Sequence, residues 1–150
     1  MTGRGRIEFG EGVTFGWRTS PGYLSGYAYV EAAAPDSVVR LGDGSFFNNG
    51  VTLRSEGPGI DVGARALFGT GVQVFDSDFH ALDPAQRWGG TPATGHVEIG
   101  PNAWIGSNAM ILKGVAIGAD TVVGAGAVVT RSLPAGVIAG GNPARVIRSL

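Results

Sequence analysis

The chain has 150 residues, of which 43% are hydrophobic, and its 11 Lys and Arg nearly balance 12 Asp and Glu to a net charge of −1. This composition suits one folded domain and gives no sign of nucleic-acid binding. The complete lack of cysteine excludes disulfides, a thiolate metal site and a Cys nucleophile. Because the sequence shows neither a membrane span of about 18 apolar residues nor a signal-peptide pattern, we expect a cytoplasmic protein without membrane insertion.

The first 35 residues show only weak periodicity. Phe9 and Phe15 lie six residues apart and are each followed by Gly, as in the pattern that becomes regular further on. Tyr23, Tyr27 and Tyr29 then form an aromatic cluster. We expect residues 1–35 to form an N-terminal cap with an irregular first coil. Its tyrosines would either cover the open end of the fold or pack against a sugar ring.

From residue 41 onward an apolar residue recurs every six positions. An amphipathic helix repeats its apolar stripe at about 3.6 residues and a half-buried strand at about two. A step of six, with Gly, Asn or Asp in between, therefore predicts a short flat face followed by a corner, and three faces make one triangular coil of a parallel β-helix. The first sets are Leu41, Phe47 and Leu53, then Val62, Phe68 and Val74. The three extra residues between the sets should bulge out at Gly57–Gly59.

The repeat is interrupted over residues 75–98 and then runs regularly over 99–130. The interruption is polar and rich in Gly and Pro, so it predicts a long protruding loop outside the core. Four regular units carry Gly directly after the aliphatic residue, which we attribute to the tight backbone angles of corners. Residues 131–150 should form a C-terminal cap with a strand at GVIAG and a last basic strand or short helix. The aliphatic residues of the regular units are Ile99, Ile105, Ile111, Ile117, Val123 and Val129, and the glycines are Gly100, Gly106, Gly118 and Gly124.

This pattern resembles the hexapeptide repeat of the left-handed β-helix acyltransferases. The nearest resemblance is to maltose and galactoside O-acetyltransferases and to O-acetyltransferases of surface polysaccharides. It implies an all-β, left-handed parallel β-helix in a single domain, with acetyl-CoA as co-substrate and no required metal. It further implies a homotrimer with active sites between subunits, and direct acetyl transfer to a hydroxyl of a sugar or saccharide.

The protruding loop carries the residues that would do the chemistry. His80-Ala-Leu-Asp-Pro, with Arg87 downstream, resembles the loop motif in which His is the general base. The resemblance implies that Asp78 or Asp83 orients the ring and that Arg87 contacts the acceptor. An alternative treats Asp76, Asp78, His80 and Asp83 as a metal cluster, although related β-helical carbonic anhydrases use three His per zinc and this chain has two. The other histidine, His96, is expected on the surface.

Further residues resemble family motif residues because they occupy the same positions within the six-residue unit. Asn48 corresponds to an acceptor-binding Asn, with Asn49 possible if the register differs by one. Trp104 and Ser107 resemble residues of the coil that borders the family's active-site cleft. Trp104 should point outward beside both substrates. A backbone N–H near Ser107 would stabilise the negative charge that develops on the thioester oxygen. Gly124 and Ala125 would form a flat wall for the pantetheine arm. The basic residues Arg131, Arg145 and Arg148 would meet the coenzyme's phosphates.

Two classes of alternative function stay open at this point. The acceptor could be an amine on an amino-sugar nucleotide, or serine, with the same donor chemistry. In the other class, the chain is an inactive β-helical scaffold or binding module that keeps the repeat without the reaction.

Overall fold

Each unit of the repeat forms a short strand followed by a tight turn. In the computed structural model, which describes all 150 residues, these strands stack into three sheets that we name A, B and C. Each of the first five coils gives one strand to each sheet, the last coil gives none to sheet B, and all pairings between these strands are parallel except the last. No α-helix forms, the only helical turn is a 3₁₀ helix at Pro84–Gln86, and no helix is long and apolar enough to cross a membrane.

Sheet A contains β1 (Thr2–Gly3), β4 (Tyr29–Ala32), β7 (Thr52–Ser55), β10 (Gln73–Phe75), β13 (Met110–Ile111) and β16 (Val128–Val129). Sheet B contains β2 (Arg6–Phe9), β5 (Val38–Leu41), β8 (Ile60–Val62), β11 (Val97–Ile99) and β14 (Ala116–Ile117). Sheet C contains β3 (Thr14–Phe15), β6 (Phe46–Phe47), β9 (Leu67–Phe68), β12 (Trp104–Ile105), β15 (Val122–Val123), β17 (Val137–Gly140) and β18 (Arg145–Ser149).

The three sheets form the sides of a triangular prism. The residues that recur at six-residue spacing fill its interior, as predicted. The six aliphatic residues from Ile99 to Val129 are at most 1% exposed and belong to one buried cluster. On sheet C the inner column begins with three stacked aromatic rings, Phe15, Phe47 and Phe68, whose successive centroids lie 4.9 and 4.6 Å apart. Burial of this continuous column supplies the main free energy that holds the coils together.

Gly100, Gly106 and Gly118, which follow core aliphatic residues, serve close packing between coils, and the predicted reason for them, a tight backbone angle, is wrong. The left-handed backbone angles occur three residues after the aliphatic residue, at Asn102, Asn108, Gly114, Asp120 and Gly126. Gly100 and Gly106 lack positive φ, but a Cβ at either position would lie 2.6 Å from a backbone nitrogen of the next coil. A side chain there would push the stacked turns apart.

The first coil is more regular than the sequence indicates. β1, β2 and β3 pair with β4, β5 and β6, and Phe9 and Phe15 align with Leu41 and Phe47. The irregular part is instead the connection 16–28, which leaves the corner between sheets C and A. Tyr29 lies in β4, inside sheet A, whereas Tyr23 and Tyr27 belong to the connection 16–28. The first coil forms the N-terminal end of the β-helix.

The other predicted irregularities lie where the sequence places them. The extra residues after β7 bulge out at residues 56–59, where Gly59 has φ +130°. The GVIAG segment forms β17, and the basic C-terminal segment forms β18, which pairs with β17 in antiparallel orientation.

Candidate active site

The long loop projects from the corner between sheets A and B. β10 ends at Phe75 and β11 begins at Val97, so the loop proper spans residues 76–96. Its stem is a short antiparallel ladder, in which Asp78 N–H donates to the Ala93 carbonyl at 3.0 Å and Gly95 N–H to the Asp76 carbonyl at 2.9 Å. The tip is exposed as expected, but the stem enters the core.

Asp76 anchors this stem and is fully buried. Its carboxylate accepts hydrogen bonds from the Ser55 hydroxyl at 2.6 Å, from Glu56 N–H at 2.8 Å and from Gly59 N–H at 2.9 Å. Gly57 N–H adds a further bond at 3.1 Å. The charge is thus stabilised by the turn 55–59, because several donors converge on the two oxygens. The sequence did not predict this anchoring role for Asp76, which was expected in the loop motif or, alternatively, as a metal ligand. An acidic residue directly after a strand, one coil beyond a Gly-Pro-Gly turn, is the signal that could have indicated it.

Phe79 folds the loop back onto the outer face of sheet A. Its ring meets Phe75 edge-on at 5.3 Å between centroids, and the Arg54 guanidinium lies 4.7 Å from the ring centre. Arg54 is itself held by Glu31 at 2.8 Å and by Glu56. Phe79 adopts φ +62°, which is rare for a bulky residue. The packing around Phe79 therefore fixes the direction in which the next residue, His80, leaves the sheet.

His80 is exposed, with one ring nitrogen engaged by the loop. Nδ1 lies 3.2 Å from the Arg87 carbonyl oxygen, and the ring meets Trp88 edge-on at 5.9 Å. Because a carbonyl only accepts, this bond requires the proton on Nδ1 and leaves the Nε2 lone pair free. Trp88 is 94% exposed beside it. The ring thus presents a proton acceptor to the solvent side of the loop.

The two predicted orienting carboxylates do not touch His80 within the chain. Asp78 pairs with Lys113 at 2.8 Å. Asp83 caps the 3₁₀ helix by accepting from Ala85 N–H at 2.9 Å. The Arg87 carbonyl takes the place expected for a carboxylate, while the Arg87 side chain donates to the Leu82 carbonyl at 3.1 Å.

The alternative metal cluster does not form. No three His, Asp or Glu side chains gather to hold an ion, and Asp76 and Asp78 have the separate partners described above. His96 lies on the surface of sheet B, as expected, with Nε2 3.1 Å from an Asp61 oxygen. Asp61 also binds Arg40, and this hydrogen bond raises the pKa of the Arg40 guanidinium. A hollow of about 450 Å³ runs along this charged sheet, but it contains none of the predicted site residues.

The two asparagines at the corner between sheets C and A differ in role. Asn49 is 7% exposed, and its side-chain amide is fully used by residues 17–21 of the first connection. Asn48 is half-buried and donates to the Ser20 hydroxyl at 3.0 Å. The structure thus leaves Asn48 the more accessible of the two to a ligand.

The residues expected to bind the coenzyme lie at two places. Trp104, 55% exposed and outward-pointing as predicted, stands on sheet C next to the corner that carries Ser107, Gly124 and Ala125. Ser107 and Gly126 are joined across adjacent coils by a 2.8 Å backbone bond, so this corner forms one continuous edge. Arg131 and Arg145 line a shared hollow of about 160 Å³, and Arg148 follows on β18.

We call the corner that carries Trp104, Ser107, Gly124 and Ala125 the Trp104 edge. His80 and the Trp104 edge belong to the two different corners that flank sheet A. The loop leaves the A–B corner, whereas Trp104 and Ser107 border the C–A corner. The intervening face of about five residues spans roughly 15 Å at about 3.3 Å per residue. The predicted base and the predicted coenzyme wall thus leave the body of the chain at different corners.

Comparison with known proteins agrees with this architecture. The family model described as bacterial transferase hexapeptide (six repeats) matches residues 96–131. Galactoside O-acetyltransferase of Lactococcus lactis subsp. lactis is 36% identical over 112 residues, which are 75% of this chain and 53% of that protein. The Escherichia coli enzyme of the same name is 32% identical over 114 residues, or 76% and 55%. The chain thus spans about half the length of these relatives.

Solved structures extend the likeness over nearly the whole chain. A hexapeptide-repeat containing acetyltransferase of Vibrio cholerae, complexed with acetyl coenzyme A, has a TM-score of 0.78 at 30% identity over 95% of this chain and 70% of that one. A galactoside acetyltransferase in complex with coenzyme A has a TM-score of 0.73 at 29% identity over 95% and 64%. The predicted left-handed parallel β-helix is confirmed. The chain belongs to the hexapeptide-repeat acetyltransferase family.

Proposed function

We propose that this protein transfers the acetyl group of acetyl-CoA to a hydroxyl of a sugar or saccharide in the cytoplasm, with His80 as general base. The observation that carries the proposal is the state of His80, which is exposed at the loop tip with Nδ1 engaged and Nε2 free. Family membership supplies the donor chemistry, since similar proteins have been solved with acetyl coenzyme A and coenzyme A.

In this mechanism Nε2 of His80 takes the proton of the acceptor hydroxyl as its oxygen attacks the thioester carbon. A C–O bond forms, the C–S bond breaks, and the departing thiolate takes the proton back from the imidazolium. The Arg87 carbonyl holds the ring in the required tautomer and stabilises the cation. The chain has no cysteine, so no acyl-cysteine intermediate forms.

The Trp104 edge and the separate hollow at Arg131 and Arg145 suit different parts of the donor. A Cβ at Gly124 would meet nothing closer than 3.4 Å, so steric crowding between coils does not require a glycine there. A flat, side-chain-poor wall at this position leaves backbone groups open to the amides of a pantetheine arm. Arg131 and Arg145 share one hollow, where two guanidinium groups would pair with phosphate oxygens. The backbone N–H near Ser107 would stabilise the negative charge that develops on the thioester oxygen.

The proposal includes a homotrimer in which His80 of one subunit meets the Trp104 edge of the next. The two groups leave the chain at different corners of sheet A, and in the trimer a second copy would bring them together. An outward column on sheet C supports association, because Phe46, Leu67 and Trp104 align in register and the last two are 47% and 55% exposed. Contiguous apolar surface of this kind is typical of contacts between proteins.

The test is release of free thiol from acetyl-CoA in the presence of candidate acceptors. We expect His80→Ala to lower turnover by roughly 10²–10⁴-fold, the usual contribution of a general base, with unchanged thermal unfolding. His96→Ala removes the other histidine and should retain full activity. Equal activity of wild type and His80→Ala would rule out the assigned base, and no thiol release with any acceptor would favour an inactive scaffold.

A second candidate keeps the donor and replaces the hydroxyl by an amine on an amino-sugar nucleotide. It is favoured by likeness to a GDP-perosamine N-acetyltransferase of Caulobacter crescentus, with a TM-score of 0.55 at 25% identity over 93% of this chain and 52% of that one. Including neutral sugars, amino-sugar nucleotides and serine in the same acceptor panel separates these possibilities.

A further inference from the structure

The connection 16–28 is held in place by a buried amide. Asn49 Oδ1 accepts from Trp17 N–H at 2.9 Å, and Nδ2 lies 3.0–3.1 Å from the carbonyl oxygens of Trp17, Ser20 and Pro21. These contacts occupy both N–H donors of the side chain and one acceptor site of its oxygen. The first half of the connection is therefore fixed to the coil beneath it.

A cavity of about 230 Å³ opens between this connection and the corner at Asn48–Gly50. Tyr23, Leu24 and Tyr27 stand around it, and glycines leave much of the remaining wall as bare backbone. No charged side chain lines the cavity. Tyr27 and Leu24 are 77% and 93% exposed, and Leu24 adopts φ +87°, an unusual angle for a leucine. The rim thus holds apolar groups in solvent at a cost in backbone strain.

The lining matches the chemistry of a neutral pyranose ring. Such a ring has an apolar C–H face, which packs on aromatic rings, and a rim of hydroxyls, which needs donors and acceptors. The tyrosine hydroxyls, the Asn48 amide and the exposed backbone offer both. Because no charged side chain lines the cavity, an acidic sugar or a nucleoside diphosphate is disfavoured as its ligand. The volume lies below the roughly 300–1,000 Å³ of pockets for drug-sized ligands, which suits a single ring.

The cavity lies on the same edge of the prism as the coenzyme wall. Backbone bonds connect Asn49 to Gly71, Thr70 to Asn108, and Ser107 to Gly126 in successive coils along the C–A corner. Asn48 and Ser107 are therefore two coils apart, or roughly 10 Å at about 4.8 Å per coil. The cavity extends from Asn48 towards Phe15 and Gly16 of the first coil, on the side of Asn48 that faces away from Ser107. A ring there would lie beyond an acceptor unit at Asn48, as the neighbouring unit of the same saccharide chain.

We propose that the cavity beneath residues 16–28 is a second saccharide subsite, which holds a neutral hexopyranose unit next to the unit that receives the acetyl group. The acceptor is accordingly an oligosaccharide or polysaccharide. This inference rests on the proposed function for the reaction, but binding in the cavity can be measured without it.

The test compares acceptor length in binding and in transfer. The probes are glucose, maltotriose and maltotetraose, and galactose with β-1,4-galactotriose. We expect at least one three-unit probe to bind about tenfold more tightly than its monosaccharide and to show a similarly higher kcat/KM, which corresponds to about 1.4 kcal/mol. Tyr23→Ala and Tyr27→Ala should abolish this gain without changing kcat/KM for the monosaccharide or KM for acetyl-CoA.

Tyr29→Phe is the matched control. Tyr29 belongs to the same cluster but lies in β4 outside the cavity, where interaction with the neighbouring Glu31 carboxylate raises the pKa of its hydroxyl. It should keep the full length dependence. Equal binding of one-unit and three-unit probes in both series, or length dependence that survives both Tyr→Ala variants, overturns the subsite. Length-dependent binding that the variants abolish, without acetylation of any probe, supports the subsite and refutes the proposed reaction for these acceptors.

Discussion

Gly106 and Gly124 occupy the same position in successive coils but have different surroundings. A Cβ at Gly106 would lie 2.6 Å from the Ala125 nitrogen, whereas at Gly124 the nearest atom would be the Ala139 carbonyl oxygen at 3.4 Å. Both residues look identical in the sequence, because each follows a core aliphatic residue in a regular unit. Only the spacing between stacked turns distinguishes a glycine that packing requires from one that packing merely permits.

We therefore expect opposite results from two equivalent substitutions. Gly106→Ala should lower the free energy of unfolding by about 1–3 kcal/mol, because it forces the coils apart. Gly124→Ala should leave stability nearly unchanged but raise KM for acetyl-CoA, since the methyl group would occupy the proposed coenzyme wall. Denaturant unfolding and steady-state kinetics check the two effects. A large loss of stability in Gly124→Ala would remove the argument for a ligand at that wall.

The buried positions were predictable residue by residue, whereas side-chain partners were not. Period six identifies Ile99, Ile105 and their successors as core because their spacing is fixed by the length of a face. The partner of His80 could not be predicted in this way. It depends on how residues 80–88 fold on themselves, and the Arg87 carbonyl, which carries no side-chain signal, competes with Asp78 and Asp83.

Among the elements, the loop 76–96 is anchored by one buried residue, Asp76. Asp76 ties its stem to the turn 55–59, and both segments interrupt the regular repeat at the A–B corner in adjacent coils. Each insertion was visible in the sequence as a break in period, and the location of both breaks is confirmed. Their mutual dependence was hidden, because the period says where chain is extruded but not what the extruded segments bind.

Asp76→Asn should destabilise the loop 76–96 more than loss of the same charge does at an exposed position. An amide cannot accept at its NH₂ end, so at least one N–H of the turn loses its partner, at a cost of about 1–3 kcal/mol. We expect a lower unfolding temperature and faster proteolytic cleavage within residues 76–96. Asp36→Asn, which removes the same charge at an exposed position, should show neither effect. Identical cleavage rates for the two variants would contradict the anchoring role of Asp76.

On the scale of the whole molecule, the proposed trimer would make activity a property of the assembly, because His80 and the Trp104 edge stand at different corners of each chain. Two variants test this, His80→Ala in the loop and Ala125→Trp at the exposed wall. Each should be inactive alone. Refolded together in equal amounts, they should recover roughly one quarter of wild-type activity. Each site of a closed ring needs an intact loop from one subunit and an intact wall from the next, and random mixing supplies each with a probability of about one half.

Size-exclusion chromatography with light scattering would accompany this measurement to establish the number of subunits. Complementation that never exceeds the background of the separate variants would place both halves of the site in one chain. In that case the apolar column on sheet C would need another explanation.

The reversed direction of β18 has a consequence for growth of the fold. A parallel stack of coils normally ends in open strand edges, onto which another chain could add coil after coil into a fibre. Here β18 runs antiparallel to β17 along sheet C and carries Arg145 and Arg148, and all of its residues are exposed. An incoming coil would meet a strand of the wrong polarity bearing positive charge. On sheet C, the last five-residue strand thus opposes the end-to-end polymerisation that a stack of identical coils would otherwise favour.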